Sequence, residues 1–302
     1  MRAEHSIYLE IIRNIRGRCL KNEPLSRHTS FGIGGPADFL ALPADEEDLK
    51  AIIGLAAESI PWMVIGNGTN LLVADRGVRG LVVKIGPGFG GIERKGRRLI
   101  VGAGLSLPAL VEKCRQWGLS GLEWAVGIPG SVGGALVMNA GAYGGEMSQA
   151  VRDVFGLGPD GRWQRLPAGQ IDFGYRRARY PQGFVITGCT LALSPGDPKS
   201  IARLMGKWLE KRKFNQPLSL RSAGCIFKNP EGDSARRLIG LAGLRGYRLG
   251  GAGISSKHAN FIVNYGGAKA ADVLRLMELV QKRVLKECGV SLEPEVRMVG
   301  EW

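Results

Sequence analysis

Side chains that hold metals or form disulfides are scarce in this chain. Its 302 residues include three histidines and five cysteines. The cysteines, Cys19, Cys114, Cys189, Cys225 and Cys288, stand far apart, and no two form a C-x-x-C pair. An odd, scattered set excludes a disulfide framework and a zinc site and fits a reducing cytosol, so no metal is expected. No histidine lies in a recognisable hydrolase motif, which sets triad chemistry aside. Low-complexity tracts and internal repeats are missing, and the glycines keep no fixed period, which excludes collagen and solenoids. Acidic residues are the minority: 27 Asp and Glu face 41 Lys and Arg, a formal net charge of +14. Such a field favours nucleic acid, an acidic membrane surface or phosphorylated small molecules, without choosing among them. The opening residues Met1-Arg2-Ala3-Glu4-His5 carry no apolar leader segment, so a cytoplasmic protein is expected.

One uncharged run is long enough to cross a membrane, the 22 residues Trp124–Gly145. Seven of them are glycine, and Pro129 and Asn139 interrupt the rest. A lipid-exposed backbone broken that way would leave N–H and C=O groups unpaired, so the run reads as a buried glycine-rich loop and no membrane partner is expected.

What is abundant is glycine, 46 residues against roughly 7% in an average chain. With 44% apolar and 23% charged residues the chain is globular, and its length calls for two or three lobes. Residues 7–19 read as a helix. Asp45 reads as the N-cap of another, with Leu49, Ile52, Ile53 and Ala56 on one face and Pro61 as its stop. Trp62–Ile65 and Leu81–Ile85 read as buried strands. Ser106 caps a helix carrying Leu110, Val111 and Cys114, closed by Gly118. From about Leu99 to Leu193 short apolar runs predict a mostly antiparallel sheet. Ser200 opens an amphipathic helix ending in Lys211-Arg212-Lys213, with a boundary after it. A compact α+β unit follows: a helix from Asp233 to about Ala242, a strand near Phe261–Val263, a helix Ala270–Cys288 closed by Gly289, and a strand Pro294–Val299.

Five segments carry chemistry. Gly66-Asn67-Gly68-Thr69-Asn70-Leu71-Leu72 follows a predicted strand; it is either a tight turn or a nest of backbone N–H groups for phosphate oxygens, with Thr69 and Asn70 adding donors. Leu71 occupies the third glycine position of a Rossmann fingerprint, which excludes that motif. The run Gly127-Ile128-Pro129-Gly130-Ser131-Val132-Gly133-Gly134, continuing from Met138 to Gly144, is either a glycine-packed helix crossing or main chain laid against a large ligand. Two glycine loops about 60 residues apart in a basic chain point to a dinucleotide such as FAD. Phe173–Tyr180, with Arg176, Arg177 and Arg179, reads as a solvated basic strand or as a carboxylate or phosphate clamp. In Ser222–Pro230, Cys225 follows Gly224 with Lys228 near, and is an acid, a nucleophile or a buried small residue. In Leu292–Arg297, strand alternation puts Glu295 and Arg297 on one face, most simply as a surface ion pair.

Taken together, these segments resemble the UDP-N-acetylenolpyruvoylglucosamine reductases of bacterial peptidoglycan synthesis. The matching pieces are Thr29–Gly35, Gly66–Leu72, Gly127–Gly144, Tyr175-Arg176, Ser222–Pro230, Lys257–Phe261 and Glu293–Arg297, in the family's order from about residue 26. The resemblance implies an α+β fold class: a two-lobed FAD-binding domain of the vanillyl-alcohol-oxidase/PCMH type plus a C-terminal α+β substrate-binding domain. The expected divisions are lobe 1 at 1–85, with the terminal strand 293–302 returning to it, lobe 2 at 86–213, and the substrate domain at 214–292. It implies NADPH as co-substrate and UDP-N-acetylglucosamine enolpyruvate as the substrate reduced to UDP-N-acetylmuramate. FAD is expected to be non-covalent, because the first glycine loop has no His or Cys to attach it. Partners are then small molecules, not nucleic acid or membrane.

The catalytic residues implied are Arg176, which stabilises charge developing on the substrate carboxylate; Glu295, whose pKa would be raised; and Cys225, the proton donor where many relatives carry serine. The cofactor-binding residues implied are Thr29, Gly66, Asn67, Gly68, Thr69, Asn70, Leu71, Gly127, Ile128, Pro129, Gly130, Ser131, Gly133, Gly134 and Asn139. Substrate contacts are expected from Tyr175, Lys213, Lys228, Asn229 and Arg297. Asn215 stands where relatives often have lysine, and Arg221 replaces a frequent proline. The short link from Arg176 to Cys225 leaves no room for the inserted lobe of longer members. Two rival readings are another FAD oxidoreductase of the same fold and a basic nucleic-acid-binding module. The second lacks any helix-turn-helix, zinc or RNP-type signature.

Overall fold

Asp48 shows how local chemistry shapes the first part of the chain. Its buried carboxylate accepts the backbone N–H groups of Arg16 (2.9 Å), Gly17 (2.8 Å) and Ala44 (2.9 Å). Burial opposes its charge, but those N–H groups and the Arg16 guanidinium outweigh it and hold the carboxyl below the usual range. Residues 16 and 17 are therefore drawn into a turn, and a Cβ at Gly17 would lie 2.1 Å from the Leu42 carbonyl. For that reason the helix expected at 7–19 is displaced: it spans Arg2–Asn14, and Arg18–Pro24 is a strand. These features belong to a computed structural model that describes residues 2–57 and 59–302, with side chains described from Tyr8 onward. Met1 and Glu58, both within the expected 1–85 lobe, lie outside the described residues.

Packing divides the chain into two compact units, each made of three segments. The first holds Met1–Lys21, Phe39–Asn67 and Gly80–Lys211. Most residues of one four-stranded sheet lie in it, in the order Arg18–Pro24, Pro36–Leu42, Val78–Lys84, Trp62–Ile65, the last two parallel. Helix Glu46–Ala56 covers it with Leu49, Ile52, Ile53 and Ala56 buried, capped by Asp45 through the Asp48 N–H as its sequence predicts. A five-stranded antiparallel sheet follows, ordered Trp163–Pro167, Val151–Leu157, Val185–Ala192, Arg98–Gly102, Ile92–Lys95. Its middle strand Val185–Ala192 is buried on both faces until Ala192, with Thr187 and Thr190 buried among its apolar residues. Helix Leu107–Gln116 is capped by Ser106 as expected. Helix Pro198–Asn215 starts earlier than expected because Asp197, not Ser200, caps it, accepting the Ser200 N–H at 2.9 Å.

The second unit holds Asn22–Asp38, Gly68–Arg79 and Arg212–Trp302. Its sheet is antiparallel, in the order Arg221–Cys225, Phe261–Asn264, Ala252–Ile254, Arg248–Leu249. Helices Ala235–Leu241 and Ala270–Cys288 pack together, and Val273, Leu276, Met277 and Val280 enter a core with Phe31, Ile33 and Leu72. Gly289 ends the longer helix at φ 70, the left-handed position glycine favours. The terminal strand is shorter than Pro294–Val299: Arg297–Val299 pairs in parallel with Leu71–Val73, while Pro294, lacking an N–H, makes an isolated bridge to Phe227.

Candidate active site

In the first unit the two glycine loops touch. A Cβ on Gly66 would lie 2.4 Å from Ser131 Oγ, so only glycine allows the end of strand Trp62–Ile65 to approach the second loop this closely. Ser131 in turn caps the short helix Val132–Val137 by accepting the Gly134 N–H. Gly133 lies against Ala103, whose carbonyl accepts its N–H at 2.8 Å. Glycine thus permits the close packing of Gly66 on Ser131 and of Gly133 on Ala103. Gly127 (φ 70) and Gly130 (φ 123) flank Ile128 and Pro129 in that second loop, and Asn67 is exposed near the start of the first.

Arg176 lies at the tip of a hairpin formed by Asp172–Gly174 and Arg177–Arg179, with only Tyr175 and Arg176 in the turn. Tyr175 is exposed and Arg176 half-buried, with the guanidinium over the Tyr175 ring at 5.1 Å. Arg176 adopts φ 54, a left-handed conformation that costs a non-glycine residue roughly 1 kcal/mol or more. The expected cofactor residue Asn139 is wholly buried, with its amide engaged by protein at both ends.

The second unit gathers the other two expected catalytic positions. Cys225 is half-buried at the end of strand Arg221–Cys225. A register shift between Ser222 and Cys225, with Gly224 at φ 78, bends the strand there and re-aims the thiol. The next residue, Ile226, accepts the Glu295 N–H at 2.7 Å, and Asn70 Nδ2 donates to the Glu295 carbonyl at 3.1 Å. Glu295 is thereby fixed beside the Cys225 segment, while Asn70, expected as a cofactor contact, braces it. Arg297 also donates its N–H to the Asn70 carbonyl, beginning the strand that pairs with Leu71.

Gly68, at φ 61, packs on the His28 carbonyl and Thr29 Cα, with its own carbonyl accepting the Ser30 N–H. Thr29 lines a cavity of about 520 Å³ with Ser26, Arg27, Ser30, Gly32 and Arg221. Thr69, the neighbour of Gly68, is half-buried. Lys228 pairs with Glu293 at 2.7 Å, and Asn229 accepts the Ala235 N–H at the start of helix Ala235–Leu241. Lys213 is exposed, and its carbonyl accepts Lys257 Nζ at 2.6 Å. Asn215, in the place of a frequent lysine, accepts the Arg236 guanidinium at 3.1 Å.

Asn260 carries a role the sequence reading missed. Its amide bonds both the Phe227 N–H (2.9 Å) and the Phe227 carbonyl (2.8 Å), imitating a strand partner just after Cys225. Its presence in the matched Lys257–Phe261 segment was the available signal.

Residues 37–166 match the FAD binding domain family, and residues 216–299 match the C-terminal domain of UDP-N-acetylenolpyruvoylglucosamine reductase. The reductase of that name from Heliobacterium modesticaldum is 47% identical over 295 residues, covering 97% of this chain and 94% of the relative. The chain belongs to the UDP-N-acetylenolpyruvoylglucosamine reductases. It is an FAD-containing oxidoreductase of their shorter type. The Geobacter metallireducens reductase is 44% identical, with 98% of each chain covered. The crystal structure of the Thermus caldophilus reductase matches this fold with a TM-score of 0.82 at 42% identity, over 94% of this chain and 99% of that one. The α+β class stands as expected, an FAD-binding domain followed by the reductases' own C-terminal domain. Among the described residues no helix is long and apolar enough to cross a membrane, and no three His, Cys, Asp or Glu side chains cluster as metal ligands.

Proposed function

We propose that this reductase converts UDP-N-acetylglucosamine enolpyruvate to UDP-N-acetylmuramate in the cytoplasm, with NADPH as reductant and without a nucleic-acid or membrane partner. The observation that carries the reading is the fixing of Glu295 beside the Cys225 segment through the Ile226 carbonyl. FAD, when bound, supplies the two-electron chemistry that links NADPH oxidation to reduction of the enolpyruvyl double bond. It is held without a covalent bond by Thr29, by residues 66–71 and by the glycine loop from Gly127 to Gly134, whereas the buried Asn139 spends its amide on protein groups.

The remaining work falls to side chains. Adding a hydride to one carbon of the enol ether leaves negative charge on its neighbour and on the carboxylate attached there. Arg176 pairs with that carboxylate and stabilises the growing charge. The Cys225 thiol gives its proton to the charged carbon, and the thiolate is reprotonated from solvent. A thiol with an ordinary pKa of about 8.5 is a far better acid than an alcohol and remains protonated at neutral pH. Glu295 shares in stabilising that charge. Tyr175, Lys213, Lys228, Asn229 and Arg297 hold the nucleotide sugar.

The test is a visible spectrum of the purified protein under anaerobic conditions. Flavin bands should bleach with NADPH and return on adding the enolpyruvyl substrate. Cys225→Ala should keep the bleaching step and slow the return by about 10²–10⁴-fold, with Cys225→Ser much less impaired. Bands that return only with oxygen would refute the substrate assignment, and full return in Cys225→Ala would refute the proton donor.

A further inference from the structure

Asn139 holds the hairpin that carries Arg176. Its Nδ2 donates to the Gly174 carbonyl at 3.1 Å, and its Oδ1 accepts the Ser148 N–H at 3.0 Å. Gly174 is the last strand residue before the Tyr175-Arg176 turn. The side chain is wholly buried, so both bonds are made where an unpartnered group would be costly. The backbone at Asn139 is left-handed, φ 41, just past helix Val132–Val137, a place where asparagine is tolerated and glycine preferred.

The same stretch of chain meets the hairpin twice more. Tyr180 Oη donates to the Leu136 carbonyl at 3.3 Å, gripping the chain just beyond the second strand. A Cβ at Gly141 would lie 3.1 Å from Arg176 Nη1, so glycine leaves room beside the guanidinium. Arg176, at φ 54, keeps a strained backbone that persists only where its surroundings impose it. Asn139 supplies a donor at one end and an acceptor at the other in a single short side chain. Aspartate lacks the donor, leucine lacks both, and glutamine is a methylene too long.

We propose that Asn139 is a positioning residue that fixes where the Arg176 guanidinium lies, acting through the Gly174 carbonyl. This rests on the role given above to Arg176. Removing the amide lets the turn move, and a displacement of about 1 Å at a reacting centre is enough for a loss of around a hundredfold.

The experiment compares the two half-reactions of the FAD-loaded enzyme by anaerobic stopped flow. Asn139→Gly removes the amide and keeps a residue suited to φ 41, which protects folding. Asn139→Asp keeps the acceptor for Ser148 and loses the donor to Gly174. Both should slow reoxidation by the enolpyruvyl substrate about ten- to a hundredfold, with flavin reduction by NADPH within about twofold of the parent. In an Arg176→Ala background, Asn139→Gly should cause no further slowing, since its effect passes through the missing guanidinium. Equal slowing of both half-reactions, no slowing in either variant, or full multiplication with Arg176→Ala would overturn the inference. Arg176→Ala alone reoxidising at the parental rate would instead sink the reading of Arg176.

Discussion

His258 is a base that the proposed reaction leaves unused. Its Nδ1 is buried without a hydrogen-bond partner, and its ring meets Phe261 edge-on at 4.8 Å. Burial first, then the charges of Arg236 and Arg245, push its pKa down from 6.5 to about 4. Between those values the unfolded chain takes up a proton that the folded chain refuses, so stability falls as pH drops from about 6.5 towards 4. The full difference corresponds to about 3 kcal/mol, reduced by the ring's partial exposure to solvent. His258→Gln should therefore flatten the fall in urea midpoint between pH 7.5 and pH 4.5; parallel curves for the two proteins would disprove this origin. The cysteines follow the same physics, with burial pushing the Cys19 thiol up to about 11 and Cys114 to about 12. Arg176 and Cys225 could be nominated from the sequence because each stands in a contiguous motif. The bonds of Asn139 to Gly174 and Asn260 to Phe227 were not, since they join residues 35 and 33 positions apart.

Helix Ala270–Cys288 was readable over its whole length, because its apolar stripe is regular and Gly289 ends it. What begins it was not. Asp75, 195 residues earlier, accepts the Ala270 N–H at 2.8 Å through Oδ1 and the Ala271 N–H at 3.0 Å through Oδ2. Local sequence rules look for a cap in the residue just before a helix, and Lys269 offers no oxygen for that purpose. Asp75 also sits at the positive end of the helix, where a carboxylate is favoured. Asp75→Ala should cost about 1 kcal/mol, measured as a lower urea midpoint with an unchanged slope, and Asp75→Asn should cost less because one acceptor remains. An unaltered midpoint in Asp75→Ala would show that solvent replaces the carboxylate there without loss. The first helix taught the converse lesson: its stop is imposed by Asp48, some thirty residues on, and the pattern alone ran it too far.

At the scale of the molecule, residues 22–38 and 68–79 join the C-terminal segment to make one unit, an interleaving that composition along the chain does not reveal. Charge, by contrast, is a whole-molecule property that the sequence states outright. A net charge of +14 is more than folding needs, and it raises the local concentration of anionic ligands. Both proposed substrates, NADPH and a UDP-sugar bearing a carboxylate, carry several negative charges. Raising ionic strength from about 0.02 to about 0.3 M shortens the screening length from about 20 to about 6 Å. Encounter should suffer and chemistry should not, so kcat/KM for NADPH should fall severalfold while kcat stays within about twofold. A flat kcat/KM would mean that the positive charge is spread without focusing on the site. The nucleic-acid reading makes a different demand over the same range, a steep salt-dependent loss of binding to duplex DNA in a protein without flavin bands. Measuring both on one preparation separates a field that steers small anions from one that grips a polyanion.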